Sequence, residues 1–172
     1  MAYCDDLNTG LAPFCGANLG GVVEAYIADY DKVGSYTVST QSVITAISMT
    51  QSGLYYKFEF REDTSSLAQT NTPTLSADIV EQVGTLVFQQ LSTAKRNAFN
   101  LLRGKKLSVI YKDANGQYWL SGKNLGVRLT NVEQATGADR NEDNIWTITL
   151  TARETEFAYE VQASALTSIV AP

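Results

Sequence analysis

Two pairs of acidic residues have the residue types and spacing that could support chemistry. Asp29 and Asp31 are separated by one residue, and Glu142 and Asp143 are adjacent. Paired carboxylates can act as acid and base in glycoside hydrolysis, or can hold a hard cation such as Ca²⁺. Charged loop residues are more commonly only solvated, so a carboxylate-based hydrolase and a divalent-cation site stay minor alternatives.

Other catalytic and cofactor arrangements lack the residues they need. The chain has no histidine, which excludes Ser-His-Asp and Cys-His nucleophiles and removes the commonest general base. Its two cysteines, Cys4 and Cys15, are too few for a structural zinc site. The diglycine Gly20-Gly21 precedes a predicted strand, not a helix, and so does not form a phosphate-binding loop. We expect a protein that is not an enzyme and has no cofactor and no metal.

Composition narrows the classes of partner. The 172 residues suffice for one domain with a sizeable core, and the net charge of −5 argues against gripping nucleic acid by its phosphates. A surface past which DNA slides remains compatible with that charge. The acidic start lacks a signal peptide, and no stretch is apolar enough to span a membrane. We expect synthesis in the cytoplasm, no membrane contact, and free thiols at Cys4 and Cys15, although the two could pair.

A short helix followed by a hairpin is predicted between Ser92 and Gly122. Ser92 can cap the helix, and Gly104 ends it. Asn115-Gly116 then signals a two-residue type I′ turn. That turn would set Lys112 opposite Trp119, so that a lysine could lie over an indole. One face of the hairpin would hold the core residues Leu107, Val109, Tyr111, Tyr118 and Leu120, and the other Ser108, Ile110, Lys112 and Trp119.

Strands are predicted along most of the remaining chain. They fall at 22–28, 43–49, Leu54–Arg61, 79–91, near 125–130 and from Ile145 to Arg153. In the strand predicted at Leu54–Arg61, apolar and polar residues alternate, which predicts that Leu54, Tyr56, Phe58 and Phe60 point into the core. In the last, Trp146, Ile148 and Leu150 face the core, whereas Thr147, Thr149 and Thr151 form an uncharged polar face. The fold expected is mainly β with one short helix (α+β), arranged as an antiparallel β-sandwich or small barrel.

Three segments are predicted to lie outside this regular pattern. Residues 1–21 are glycine-rich and aperiodic, so they read as an extended N-terminal arm before a domain at 22–162. Residues 163–172 are a C-terminal tail. Glu62–Asp78 is predicted to be a long irregular loop between paired strands, and it is the first candidate for a partner-binding element. A second polar loop is expected at Asn131–Asn144.

Several motifs, taken in order, resemble a family of viral structural proteins. They cover most of the chain: the arm pattern of Cys4, Leu7, Gly10, Cys15 and Gly20-Gly21, then Tyr26–Tyr30, Tyr56–Arg61, the helix with Val109–Gly122, and Trp146–Glu154. In this order they look like the tail-tube-like virion proteins of tailed phages that infect Bacteroidetes, including crAss-like phages. The inner tubes of contractile secretion systems have a similar fold.

The resemblance implies a ring-forming subunit of the viral tail. Such proteins assemble into homo-oligomeric rings, hexameric or higher, through which DNA passes without specific binding, and they contact adjacent tail or neck proteins of the virion. The arm and the 62–78 segment would join neighbouring subunits, and the threonine face would line the DNA ejection channel. The 62–78 segment is short for the protruding hairpin of a tube subunit. A neck or ring protein that docks only once therefore stays an alternative to a polymerising tail-tube subunit. The implied subunit contacts are Cys4, Leu7, Leu11, Phe14, Cys15, Leu67, Pro73 and Leu75, and the implied channel residues are Thr147, Thr149 and Thr151.

A binding module is the alternative function. Tyr118, Trp119 and neighbouring tyrosines could form an aromatic platform for a carbohydrate or for another virion protein. Structural aromatic residues are the more common explanation of this pattern, so the ring-forming subunit is preferred.

Overall fold

The computed structural model describes residues 16–50, 52–61, 63–73 and 78–172. Within these ranges the chain forms eleven strands and two short α-helices, so the predicted mainly-β (α+β) fold is confirmed. In chain order the elements are β1 (Val22–Asp29), β2 (Val33–Val38), β3 (Val43–Met49), β4 (Tyr56–Glu59), β5 (Ser66–Pro73), β6 (Asp78–Gln89), α1 (Thr93–Leu102), β7 (Leu107–Asp113), β8 (Tyr118–Ser121), β9 (Val127–Ala135), β10 (Ile145–Glu154), β11 (Tyr159–Val161) and α2 (Ala163–Leu166).

The strands belong to one open, mixed sheet. Its order is β2-β3-β11-β8-β7-β9-β10-β6-β5, and β1 pairs with the other side of β7 and carries β4. Every described pair of strands is antiparallel except β11 with β3, which is parallel. The expectation of a wholly antiparallel arrangement is therefore wrong at this one pair, because β11 enters the sheet between β3 and β8 and runs in the direction of β3.

A first core lies between two halves of this sheet. Apolar side chains of β1 and β7 face those of β6 and β10, as the layers of a sandwich do. The closest approach joins Tyr111 on β7 to Gly84 on β6, where a Cβ atom on the glycine would lie 2.1 Å from the tyrosine hydroxyl oxygen. Helix α1 closes one end through Phe99, whose ring lies 5.3 Å from that of Trp146. As predicted, Ser92 caps α1 by accepting a hydrogen bond from the Lys95 backbone N–H.

A second core lies on the opposite face of β7 and β8. Ile110 and Leu120 pack there with Ile44 of β3 and with Leu166 of α2. The buried Ser108 hydroxyl joins this core to two tyrosine hydroxyls, at 2.9 Å from Tyr36 and 2.7 Å from Tyr55. Part of the segment that we interpreted as a C-terminal tail, 163–172, thus packs against this core, and Ala165, Leu166 and Ile169 in it are buried.

The central hairpin forms with a register one residue away from the prediction. Tyr111 pairs with Trp119 and Ile110 with Leu120. The loop has three residues instead of two, because the Asp113 carboxylate accepts hydrogen bonds from the backbone N–H groups of Asn115 and Gln117, both at 2.9 Å.

This register moves every side chain of β8 to the face opposite the predicted one. Leu120 and Tyr118 lie in or against the second core, with Ile110 and not with Tyr111. Lys112 lies 5.8 Å from the centre of the Tyr118 ring, so the predicted contact with the Trp119 indole is wrong.

The predicted alternation of Leu54–Arg61 holds only in its second half. Phe58 and Phe60 pack against the first core as expected. Tyr55 is fully buried in the second core, whereas Tyr56 is 59% exposed, which is the reverse of the prediction. The chain bends before β4, since the Tyr55 backbone N–H is bonded to the Ile169 carbonyl and its side chain turns towards Ser108.

The segment Glu62–Asp78 is not an irregular loop. Residues 66–73 form strand β5, paired along its length with β6. Its composition is polar because β5 is the last strand of the sheet and Leu67 is its main contact with the core. The polar loop expected from Asn131 also begins later, since β9 continues to Ala135, and β2 and β11 had no counterpart among the predicted strands.

We expect Gly84→Ala to destabilise the fold, because the added methyl group would meet the Tyr111 ring. Overpacking of this kind costs about 1–3 kcal/mol. The measurement is urea denaturation, in which the midpoint should fall while the slope stays constant. Gly20→Ala is the matched control, since no atom lies within 4 Å of the position of its added methyl group. Equal midpoints for the two variants would contradict the packing described for Tyr111.

Candidate functional site

Most of the predicted subunit-contact residues cannot be placed. Cys4, Leu7, Leu11, Phe14, Cys15 and Leu75 lie outside the described residues. Leu67 is half-buried and packs against the first core, so its side chain supports the fold of β5. Pro73 is exposed at the end of β5.

The three predicted channel residues do form one continuous surface. Thr147, Thr149 and Thr151 alternate along β10 with the buried Trp146, Ile148 and Leu150, as predicted. Three further strands add residues of similar character to the same surface. We call this surface of β5, β6, β9 and β10 the neutral face, and it comprises Ser66, Ala68, Val83, Thr85, Val87, Thr130, Thr147, Thr149 and Thr151.

Cross-strand pairs hold the neutral face together. Thr149 is paired with Thr85, and Thr151 with Val83. The Thr130 hydroxyl, at a bulge in β9, lies 3.0 Å from the Thr151 hydroxyl and donates to the Thr149 carbonyl at 3.2 Å. Hydroxyl and methyl groups therefore make up these positions, which have the chemistry of a contact or lining surface. Along the β9 border of the face, Glu133 pairs with Thr147 and Arg128 with Thr151, so one charge of each sign lies on the same side of the sheet.

An ion pair also lies beyond one end of the neutral face. Arg153 pairs with Glu81 at 3.3 Å, one pair of residues beyond Thr151 and Val83 on the outer side of the sheet. Because the two charges neutralise each other, this ion pair exerts only a weak electrostatic field on the middle of the neutral face.

Among the residues that the structure describes, the neutral face ends sideways at a strand edge that has no partner. Strand β5 is the last strand at one end of the sheet and β2 the last at the other. Neither strand contains a lysine, arginine, aspartate or glutamate, which are the usual devices that keep edge strands from pairing with other chains. Apart from Pro73 at its end, β5 is an open template for a further strand.

The β6 part of the neutral face was also predictable from the sequence, although it was not predicted. The alternation of Val83, Thr85 and Val87 with buried residues is as regular as that of the threonines in β10. Ser66 and Ala68 had no such signal, because they were assigned to a loop.

The strongest cluster of ionisable groups lies elsewhere, around Glu24 on β1. Its carboxylate accepts hydrogen bonds from the Tyr26 hydroxyl at 2.7 Å and from the Lys112 ammonium at 3.3 Å, and it pairs with Lys57 at 3.0 Å. Burial opposes ionisation of Glu24, but the hydrogen bonds from these three side chains outweigh it and lower its pKa. Burial and Glu24 itself raise the pKa of Tyr26. The cluster is thus a set of satisfied charges and not a poised acid or base.

The two acidic pairs of the sequence are each engaged in structural contacts. Asp29 pairs with Lys105 at 3.0 Å, and Asp143 with Arg61 at 2.9 Å. Glu142 accepts a hydrogen bond from the Ala138 backbone N–H. Over the described ranges, no group of three or more cysteine, aspartate or glutamate side chains is placed to hold a metal ion.

The aromatic residues of the predicted platform face different ways. Tyr118 packs against the second core, whereas Trp119 lines a cleft of about 750 Å³ on the opposite side of β8. Phe157, 55% exposed, and Tyr159 line this cleft with the indole. A platform of Tyr118 with Trp119 is therefore wrong, and since Tyr159 also packs against the second core, the aromatic surface in the cleft consists of Trp119 and Phe157.

Comparisons with known proteins add no family assignment. No family model, curated protein or solved structure matches this chain. Among the residues that the structure describes, neither helix has the length and hydrophobicity needed to cross a membrane. The geometry of the neutral face and of its strand edges therefore carries the functional interpretation.

We expect the stability of the protein to fall below about pH 5 partly because Glu24 becomes protonated. Its folded-state pKa is lower than its ordinary value of 4.5, so its stabilising contribution is present above that value. The contribution is lost as the pH falls through the lowered pKa. Unfolding free energies from urea titrations between about pH 5 and pH 3 should therefore fall less in Glu24→Gln than in the parent.

The control for this titration is Asp31→Asn, which removes an exposed carboxylate that forms no ion pair with any described residue. Asp31→Asn should keep the parental pH dependence. A parental slope in Glu24→Gln would show that its three hydrogen bonds do not favour the ionised form.

Proposed function

We propose that this protein is a non-enzymatic structural subunit of a phage virion that oligomerises into a ring, or stacked rings, of the tail tube or neck around the DNA channel. The observation that supports the proposal most directly is the neutral face, which spans four strands and ends at an open strand edge. The order of sequence motifs that resembles tail-tube proteins supports the same assignment.

Ring closure follows from the two edges of the described sheet that carry no charged residue, β5 and β2, whereas the third edge strand, β4, contains Lys57 and Glu59. If β5 of one copy adds to the β2 end of the next, each copy uses two different edges, which is a heterologous contact that can close into a ring. Backbone hydrogen bonds would provide much of the affinity, as in other cases of strand addition. The absence of charged residues from β5 and β2 leaves both edges free for this pairing.

The size of such a ring suits a channel. If the four strands of the neutral face line the interior in each of six copies, and the other strands of each copy, β2 included, lie behind them, about 24 strands surround the channel. This number is beyond the 16–18 strands that already leave an aqueous pore. Strands spaced about 4.8 Å apart then give a diameter of roughly 37 Å between backbones. A DNA duplex can pass through an opening of this width.

The neutral face also suits transit without binding. DNA-binding surfaces draw affinity from lysine and arginine residues that neutralise phosphates. The named positions of the neutral face have none, the two arginines at its borders, Arg128 and Arg153, are matched there by Glu133 and Glu81, and the net charge of the chain is −5. Its hydroxyl groups are largely half-buried and partly bonded to one another, so DNA would meet few free donors. Partners of the ring are further copies of the chain and the adjacent tail or neck proteins.

Negative-stain electron microscopy with mass measurement tests ring formation. We expect annular particles with a central hole and a mass of six or more copies. Thr70→Lys should abolish them, because it places a charge on the open edge strand. The substitution should leave the fold intact, since position 70 is exposed and lies opposite Glu81 on β6.

Gln117→Lys is the matched control, because it adds the same charge at an exposed loop position far from both edges. It should form rings like the parent. A parent protein that stays monomeric over a wide concentration range would refute assembly by this chain alone, and rings in Thr70→Lys would refute the role of the β5 edge.

The Trp119 cleft favours one second candidate, a module that binds carbohydrate or another virion protein. Sugars stack on aromatic rings and bond to carboxylates, and the cleft places Asp78 and Glu160 near Trp119 and Phe157. Under this alternative, Phe157→Ala should remove glycan-array binding without loss of thermal stability, since Phe157 is the exposed ring. Leu125→Ala, a similarly exposed apolar residue outside the cleft, should retain it. Absence of glycan binding by the parent removes the carbohydrate form of this candidate.

A further inference from the structure

A second cleft opens between helix α1 and strand β9, on the side of β10 opposite to its threonines. Its volume is about 560 Å³. Arg96 and Asn100 of α1 and Arg103 directly after it line one wall, Gln134 of β9 lines the other, and Trp146 lies on the floor. The walls are thus rich in hydrogen-bond donors.

Both arginines of this cleft lack an acidic partner within the described part of the chain. The ion pairs there engage Lys32, Lys57, Lys105, Lys112, Arg61 and Arg153, and neither Arg96 nor Arg103 is among them. The two positions are seven residues apart on one helix, so they project on the same side about 10 Å from each other along its axis. Side chains of this length can converge on one ligand or bracket an elongated one.

The floor of the cleft holds a donor that has no acceptor. Trp146 is only 8% exposed, and its Nε1–H group forms no hydrogen bond with any described residue. Phe99 fixes the orientation of the indole ring through an edge contact at 5.3 Å between ring centres. Buried indole N–H groups are nearly always bonded, so an oriented donor without a partner indicates a missing acceptor.

The residues that line the cleft include no aspartate or glutamate. The exposed Glu133 of β9 pairs with Thr147 and therefore lies on the other side of the sheet, where it accepts a hydrogen bond from the Asn131 amide at 2.7 Å. The two guanidinium groups give the cleft a positive charge in a protein whose total charge is negative. This local positive charge favours an anion.

We propose that the cleft between α1 and β9 binds a small molecule through a phosphate or carboxylate group. Arginine recognises both groups through paired N–H donors, and an indole N–H can add a further hydrogen bond to an oxygen. The volume of the cleft exceeds that of a single ion, so the ligand carries a body beyond its charged group. This binding does not depend on ring assembly, and the residues proposed to bind the ligand, Arg96, Arg103 and Trp146, lie outside the neutral face.

Tryptophan fluorescence and calorimetry on the full chain test the proposal. Trp119→Phe leaves Trp146 as the only tryptophan, so its emission reports on the floor of the cleft. The probes are inorganic phosphate, pyrophosphate and malonate, each titrated at constant ionic strength. We expect saturable binding of at least one probe with a change in Trp146 emission. Arg96→Gln and Arg103→Gln should each weaken it tenfold or more.

Arg128→Gln is the matched control, because Arg128 is exposed on β9 but does not line the cleft. It should bind within twofold of the parent. Binding of phosphate or pyrophosphate assigns phosphate chemistry, and binding of malonate alone assigns carboxylate chemistry. Failure of all three probes to saturate below about 10 mM by calorimetry, or equal weakening in Arg128→Gln, overturns the proposal.

Discussion

The burial of strand β7 on both faces is the constraint on which the rest of the structure depends. Val109 and Tyr111 point into the first core, whereas Ile110 points into the second. A strand with two buried faces must be covered on each side by other elements. Residues of β6, β9 and β10 cover one face of β7, and residues of β3, β11 and α2 cover the other.

The corner between β8 and β9 makes this division possible. The chain leaves β8 on the side of the second core and enters β9 on the side of the first, with Gly122 and Gly126 both at positive φ. Buried polar side chains hold the corner: the Gln82 amide oxygen accepts from Ser121 and Gly122, and Glu154 accepts from two backbone N–H groups of the loop. Because β6 and β10 supply these two side chains, the same strands position both the corner and the neutral face.

Sequence patterns predicted the elements whose structure depends on residues close in sequence. They failed where one contact with a residue distant in sequence, or with a side chain of the turn, determines the structure. The cap of α1 and the alternation of β10 depend on neighbouring residues, and both were predictable from the sequence. The hairpin register depends on the Asp113 carboxylate, which competes with the Asn-Gly preference and adds one residue to the loop. Tyr55 was misassigned because Ser108, far away in sequence, draws it out of the strand pattern.

The neutral face also has a part that could be predicted from the sequence and a part that could not. Its β10 part could be read from alternation alone, since a central strand must hide one face. Its edge could not, because an edge strand such as β5 has few core contacts and therefore leaves little hydrophobic periodicity in its sequence. The donors of the α1–β9 cleft were visible only as basic residues of a helix, for which interaction with the helix dipole is the ordinary explanation.

The parallel pairing of β11 with β3 has a consequence for the order of folding. Residues 159–161 fill the gap between β3 and β8, so contacts separated by more than one hundred positions in sequence must form before the sheet is continuous. During synthesis, β3 and β8 are made well before the strand that joins them. Until β11 has left the ribosome, both expose strand edges, and this makes the interval a period of vulnerability to aggregation that a chaperone would shorten.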